Sequence, residues 1–405
     1  MDQASYLKIG GELIANAILD LVEVTQELNE HWWCRVECRQ TEDARFSFEE
    51  ALGKACQIIT YEDSGAEHII FDGIVLHSAL VYKIYGSYGA RITAVTRSWL
   101  LDQTARHYCY TTPSISAIAN QVVGRAGLDA AISVDSKASP LQYVQWGETD
   151  CAFLTRLADD HRCWIRPTAT GIEIRNTFQA GTSATFRDEY QLLNFTMRGA
   201  LGPASMDGAH YDARTMISQT YTGVRGQPSF SGSSGPLVAA VERESQALLP
   251  SGYVTQRARS QTLDDYRQRL QLESERSIGS KLIGHGISRV QQLKAGDSVN
   301  IGGTLDAKGN YGLVKVIHRW TQVGYENEFW CTPCQNYIHP KPPVMRSWSG
   351  VVPARVMEHS DPEKYGRIRI RFFWQDEGDP MLWARVVTPY AGQDRGFFFQ
   401  PEVGD

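Results

Sequence analysis

No stretch of this sequence approaches the roughly 18 consecutive apolar residues that a membrane-spanning helix needs, which excludes such a helix within it. The opening Met1-Asp-Gln-Ala-Ser-Tyr-Leu-Lys-Ile-Gly10 lacks the basic end and apolar core of a secretory signal, so any export is expected to be signal-independent. Positive charge is not in excess either. The 46 acidic residues outnumber the 40 basic ones, and a net charge of −6 gives no bulk cationic character to draw nucleic acid or an anionic membrane. The eight cysteines lack the spacing of a disulfide framework, so most are expected to be reduced, buried and made in the cytoplasm. No repeat with a period of about 20–50 residues is present, which excludes a solenoid within these 405 residues.

What is present is two-residue alternation. In Gly366-Arg-Ile-Arg-Ile-Arg-Phe-Phe-Trp374, Arg367, Arg369 and Arg371 take one side and Ile368, Ile370 and Phe372 the other, the pattern of a half-buried strand. A turn-forming run, Asp376-Glu-Gly-Asp-Pro380, leads to a second strand, Met381-Leu-Trp-Ala-Arg-Val-Val387. After a further turn comes a third, Gly396-Phe-Phe-Phe-Gln-Pro401, and the sequence reaches Glu402-Val-Gly-Asp405 with another strand about to begin. Short strands between such turns describe a small Greek-key barrel of the OB type, expected here to be incomplete at Asp405.

The earlier part is also mainly β, with 42% hydrophobic residues and length for about three domains. In His31-Trp-Trp-Cys-Arg-Val-Glu-Cys38 the even positions from Trp32 to Cys38 face one way, and strands are expected again over 57–61, 68–77 and 90–101. Ile115, Ile118, Ala119 and Val122 recur at helical spacing behind Ser114 as cap. A second helix carries Phe153, Leu154, Leu157 and Ala158 inward, capped by Thr149 or Asp150. Strands resume at Cys163-Trp-Ile-Arg166. The run from Ser229 to Pro236 is a loop, and the charged segment 263–275 a helix.

Ser360-Asp-Pro-Glu-Lys-Tyr-Gly-Arg-Ile-Arg-Ile-Arg-Phe-Phe-Trp374, with Trp383-Ala-Arg-Val386, Ala391-Gly-Gln-Asp-Arg-Gly396 and Pro401-Glu-Val-Gly-Asp405, closely resembles the OB segment of the VgrG family, spike proteins of type VI secretion related to phage tail hubs. Phe71-Asp-Gly-Ile-Val75, Gln145-Trp-Gly-Glu-Thr-Asp150, Leu293-Lys-Ala-Gly-Asp-Ser-Val299, Gly312-Leu-Val-Lys-Val-Ile-His318 and Tyr325-Glu-Asn-Glu-Phe329 followed by Pro340-Lys-Pro-Pro343 resemble successive hub segments. The likeness is weakest between about residues 166 and 261. The resemblance implies a mainly β fold with a smaller α/β part. Its divisions are a first hub-type β-barrel at 1–112, a helical insert at 113–165, a second hub barrel at 166–343 with one charged helix at about 261–275, and an OB-fold neck domain at 344–405. It implies a non-enzymatic homotrimer between a hexameric Hcp-like tube and a puncturing needle, with baseplate proteins as neighbours. A PAAR-type tip protein and effectors would engage it beyond residue 405, cofactors and nucleic acid would be absent, and a membrane would be met only by penetration. Assembly is implied in the bacterial cytoplasm, followed by secretion through the machine without a signal peptide. A tail hub of a phage-like particle is the alternative, and a spike-associated peptidoglycan hydrolase a more distant one. Ile368, Ile370, Phe372, Trp383, Val386 and Phe398 are the expected OB core or trimer contacts.

Candidate chemistry is sparse. Cys331-x-x-Cys334 is half of a zinc site, with His318 and His339 near in sequence, but no second such pair exists, and cysteines in a strand-edge loop are the simpler reading. Asp159-Asp160-His161 ends an amphipathic helix, where charges face water rather than serve acid–base work. Glu148 and Asp150 are spaced as paired carboxylates, yet sit where a helix N-terminus favours acidic groups. Ser231 and Ser234 offer hydroxyls without a nucleophile elbow. Arg367, Arg369, Arg371 and Trp374 resemble a nucleic-acid stripe, but Asp376, Glu377 and Asp379 follow at once, and arginines pairing across strands account for it. No catalytic, cofactor-binding or metal-binding residue is therefore expected.

Overall fold

The computed structural model describes residues 5–405 apart from 15–16, 41–47, 62–64, 66, 83–87, 112–113, 135–141, 180–184, 187–190, 213–214, 228, 231–234, 255–261, 303–307, 340–349 and 393–394. The Pro340-Lys-Pro-Pro343 break, half of the 229–236 loop and the hydroxyls of Ser231 and Ser234 therefore lie outside the described residues. Among the described residues no helix is long and apolar enough to cross a membrane.

One sheet organises the hub. Strand Ala17–Glu27 pairs with Trp33–Gln40, and the order continues through Tyr88–Val95, Glu67–Tyr82, Ala55–Tyr61 and Tyr6–Ile9. On its other edge Ala17–Glu27 pairs with Gly309–Thr321, and that side continues through Gly324–Thr332, Leu282–Ser288 and Leu192–Gly199. The register across the seam runs from Lys315 opposite Glu27 to Thr321 opposite Leu21, antiparallel. The two hub-type β units are thus stitched edge to edge. Alternation decides which face is core: Val22, Val24, Trp32, Cys34, Val36 and Cys38 are buried, whereas Trp33 and Arg35 are exposed. On the outer face charges pair across strands, Arg319 with Glu23 at 2.8 Å and Lys315 with Glu27 at 2.8 Å, straddling the seam. The core beneath crosses the seam too, since Val24, Trp32 and Phe71 share a cluster with Trp164, Phe178, Trp320 and Tyr325.

Helix α1 (Ile115–Gly124) is capped by Ser114, which accepts from the Ala117 amide, and α2 (Asp150–Asp160) by Thr149, which accepts from Ala152. Ile118, Val122, Phe153, Leu154 and Leu157 meet in a core of their own. The second hub unit carries two helices where one was expected, α3 (Gly235–Leu248) and α4 (Leu263–Gly279). Pro236 in the first turn of α3 supplies a preset φ at a position with no amide to lose. Val241 and Ser245, one turn apart, are its buried positions. Gly199 makes room for it: a Cβ there would lie 2.8 Å from Val241 and 3.0 Å from Leu237. Helix α4 opens on a reciprocal capping box between Thr262 and Asp265.

Three expected strands fall short. That over 381–387 is reduced to Leu382–Ala384. The one over 90–101 ends at Val95, because the Thr96 hydroxyl accepts the Trp32 amide at 3.1 Å and closes the ladder; a 3-10 helix, Arg97–Asp102, follows. The strand expected from Gly396 to Pro401 is reduced to Arg395–Gly396 paired with Ala391–Gly392, and the three phenylalanines beyond stand in water rather than in a ladder.

A buried polar chain ties the second unit together. His318 Nδ1 meets the Tyr325 hydroxyl at 2.8 Å, Asn327 Nδ2 donates to that hydroxyl and to Val290 O, and Ser288 Oγ donates to Asn327 Oδ1. Burial lowers the His318 imidazole from 6.5 to about 3, so the folded protein holds it neutral. Between those values the unfolded chain binds the extra proton and the folded one does not. Stability is therefore expected to fall as pH drops from about 6.5 towards 3, by up to about 1.4 kcal/mol per pH unit. Urea unfolding at pH 7 and pH 5 checks this against His318→Gln; equal pH slopes in both proteins would refute it.

Candidate docking surface at the neck

The neck is built on three antiparallel strands, Ala354–Glu358, Ile368–Phe372 and Leu382–Ala384. Before the middle strand, Asp361 folds the chain back on itself. Its carboxylate accepts the backbone amides of Glu363, Tyr365 and Arg367 and grips the Arg367 guanidinium through two contacts of 2.8 and 3.1 Å. Arg367 above all holds the Asp361 carboxyl well below the usual carboxylate range. Arg369 reaches across the ladder to Glu358 at 3.2 Å, while Arg371 stands opposite Arg355. Two of the three arginines are thus committed within the fold. The last residues continue the pairing, with the Gly404 amide on Val356 O and the Val356 amide on Asp405 O, each 2.9 Å.

The far end of the middle strand leaves the OB sheet for the insert. Phe372 and Trp374 stack at 5.1 Å and 10°; Trp374 also stacks on His107 at 5.3 Å, and Trp146 meets both neck rings edge-on. His107 and Trp146 belong to the paired strands Ala105–Tyr110 and Tyr143–Thr149. Phe372 therefore sits at the joint between neck and insert. Trp374, a candidate base-stacking residue on sequence, has its ring faces taken by Phe372 and His107.

The remaining expected site residues divide by exposure. Ile368 and Ile370 are half-buried, Ile370 standing between Val356 and Leu382, the buried apolar residues of this sheet. Trp383 is half-buried with the Arg367 guanidinium 5.8 Å over its ring, and Val386 is half-buried just past the last strand. Phe398 is exposed, its ring edge lying 3.3 Å from where a Cβ on Gly366 would be. Gly366 has φ +68°, a left-handed turn open to glycine. Phe397 and Phe399 (75% exposed) stack at 6.3 Å and Tyr390 meets Phe397 at 6.4 Å, all three exposed, as is Val387 (94%) on the same segment. Among the described residues these aromatics stay more than half exposed or nearly so, an apolar patch of the kind that marks an interaction surface.

Elsewhere the structure places the chemical candidates in structural roles. Cys331 lies inside Gly324–Thr332 in the second hub core, and Cys334 just beyond it, hydrogen-bond distance from Asn336; burial pushes the Cys334 thiol up to about 12 and Cys331 further still. His318 is spent on Tyr325. Asp159 and Asp160 do not face water as expected. Asp159 is buried, 2.7 Å from Arg276 and 3.7 Å from Arg269 of α4, and Asp160 is 3.1 Å from Arg269. Burial pushes the Asp159 carboxyl up against the pull of both arginines. Glu148 is not a helix-end charge either: it forms a buried ion pair with Arg156. Asp150 accepts from Gln145 at 2.8 Å and sits 3.3 Å from Arg106. One group was absent from the sequence reading. His31, Asp102 and Cys151 converge from three segments, a meeting that no sequence spacing could signal.

Residues 25–324 match the family model described as the phage tail baseplate hub (GPD), and residues 352–405 that of the type VI secretion system/phage-baseplate injector OB domain. The type VI secretion system spike protein VgrG4b of Pseudomonas aeruginosa is 29% identical over 173 residues, which is 34% of this chain and 21% of that protein. The match thus spans about a fifth of that relative's length. Among solved structures, the E. coli c3393 protein, a type VI secretion component described as similar to the T4 tail proteins gp27 and gp5, superposes with a TM-score of 0.61 at 16% identity, covering 93% of this chain and 92% of its own. The 43 kDa tail protein of prophage MuSo2 from Shewanella oneidensis does so with a TM-score of 0.60 at 15% identity, covering 83% and 99%. These two likenesses are of fold.

Proposed function

This chain belongs to the phage tail baseplate hub (GPD) family, and we propose that it is the hub and neck of a contractile injection spike of the type VI secretion kind. In this reading three copies surround one axis. The paired hub units of each copy supply six similar β units, which match a sixfold Hcp-like tube, and the OB necks narrow towards a needle. Sheath contraction drives the assembly through a target envelope, and strand pairing across the seam supplies stiffness. Baseplate proteins, a PAAR-type tip and effectors are its partners, with assembly in the bacterial cytoplasm and exit through the machine. The divisions at 112, 165 and 343 belong to the same reading, supported by the separate core around α1 and α2, to which Leu101 and Tyr110 from before 112 and Ile172 and Ile174 from after 165 also contribute. Its role is structural rather than enzymatic, supported by the ion pairs that engage Glu148 and Asp159. The likeness to a prophage tail protein keeps a phage-like particle as the second reading, which neighbouring genes would separate.

The single observation that carries the trimer is the exposed aromatic patch of Tyr390, Phe397 and Phe399, since symmetric copies are the simplest cover for identical exposed faces. Sedimentation velocity on the full-length protein is expected to give three times the subunit mass. Phe399→Asp combined with Val387→Asp, both at exposed positions, should yield folded monomers. A wild-type monomer at micromolar concentration would overturn the reading.

A further inference from the structure

We propose that His31, Asp102 and Cys151 form a site for one divalent transition metal ion of the zinc type, clamping the first hub sheet to the helical insert. A ligand atom from each residue lies within 4.8 Å of the other two. The three come from separate places: the turn between Ala17–Glu27 and Trp33–Gln40, the end of the 3-10 helix Arg97–Asp102, and the first turn of α2.

The surrounding hydrogen bonds aim each ligand. His31 Nδ1 is 2.9 Å from Ser98 Oγ, which is itself 2.9 Å from Thr96 Oγ1. With Nδ1–H donating to Ser98, the Nε2 lone pair is left for a metal, the arrangement that orients histidine ligands generally. Asp102 Oδ1 accepts from the Thr149 hydroxyl at 2.5 Å, leaving Oδ2 on the side of His31 Nε2, 2.9 Å away. Cys151 has the Thr155 hydroxyl beside it one turn along α2. Around zinc, ligand distances of about 2.0–2.3 Å at tetrahedral angles separate neighbouring N and O atoms by about 3.4 Å. Closing such a site means opening the His31–Asp102 contact by that half ångström and drawing in Cys151. A carboxylate and a thiolate would balance the two positive charges, and the N, O, S donor set suits zinc or cobalt rather than magnesium or calcium. The Asp102 side chain is 40% exposed, so water can reach the fourth position.

One competing reading fails on geometry. Ser98–His31–Asp102 resembles a hydrolytic triad, but Ser98 is 2% exposed, out of reach of a substrate. What remains to be distinguished from a metal site is a plain His–Asp hydrogen bond that staples the loop.

The experiment is titration of the chelator-stripped, reduced full-length protein with Zn2+ by calorimetry and with Co2+ by absorption. One Zn2+ per chain is expected, and the Co2+ complex should show a thiolate-to-metal charge-transfer band. Cys151→Ser should abolish that band. Ser98→Ala should weaken Zn2+ binding by about 10–100-fold. Cys334→Ala should bind as the parent does. Absence of Zn2+ binding, a Co2+ spectrum without a thiolate band in the unsubstituted protein, or binding lost with Cys334 but kept in Cys151→Ser would each overturn the assignment and leave the His–Asp staple. The Co2+ spectrum decides the question even if a variant fails to fold.

Discussion

Asp159→Ala is expected to destabilise the protein by about 3 kcal/mol, the lower end for breaking a buried ion pair, because it strips the buried Arg276 guanidinium of its nearer carboxylate and leaves only Glu273, 3.2 Å away. Both side chains are only 6% exposed, and Arg276 also donates to His339 O, so it cannot swing into water without breaking that contact. The pair fastens α4 to the end of α2, with Arg162–Glu275 at 2.9 Å and Arg269–Glu273 at 2.7 Å around it. Denaturant unfolding measures the effect. Replacing both partners together, Asp159→Leu with Arg276→Met, should recover most of the loss, since an apolar pair of similar volume avoids desolvating two ions. An acid–base role for Asp159 predicts the reverse: activity lost and stability kept.

Glu148→Ala should do comparable damage, about 3–5 kcal/mol, in the insert. Arg156 lies across the Phe153 ring at 5.0 Å and donates to Val144 O at 2.8 Å, so alanine at 148 strands a cation in the floor of the insert core. Glu148→Gln should be milder, because the amide oxygen still accepts from the guanidinium. Thermal unfolding of the two variants, beside an assay for peptidoglycan turnover, separates the structural from the catalytic reading. A stable Glu148→Gln protein that loses turnover would make Glu148 catalytic.

Local periodicity was legible in the sequence and long-range pairing was not. The buried set Trp32, Cys34, Val36 and Cys38 and the inward face of α2 follow from side-chain geometry alone, as do the caps at Ser114 and Thr149. Asp159 and Asp160 were misread because their partners are over 100 residues away: Arg269 stands 109 positions from Asp160, and Arg276 stands 117 from Asp159. Helix α3 was hidden by the Gly/Ser run before it, although Pro236 with Leu237 and Val241 behind it was the usable signal. At the neck, the alternation of Ile368 and Ile370 against Arg367 and Arg369 was visible. That Phe372 turns from this sheet to Trp146 was not, since nothing local sets the angle between neck and insert.

The seam between Ala17–Glu27 and Gly309–Thr321 also sets a timetable for biosynthesis. The 296 positions separating Glu23 from Arg319 take roughly 15–60 s to translate at about 5–20 residues per second. For that interval the strand Ala17–Glu27 carries an open edge, a template for pairing with neighbouring nascent chains on the same polysome. Its charged outer face, Glu23 and Glu27, repels a second copy of itself and accepts Arg319 and Lys315 when they arrive. The residues that close the hub in the finished protein thus also guard it while it is being made.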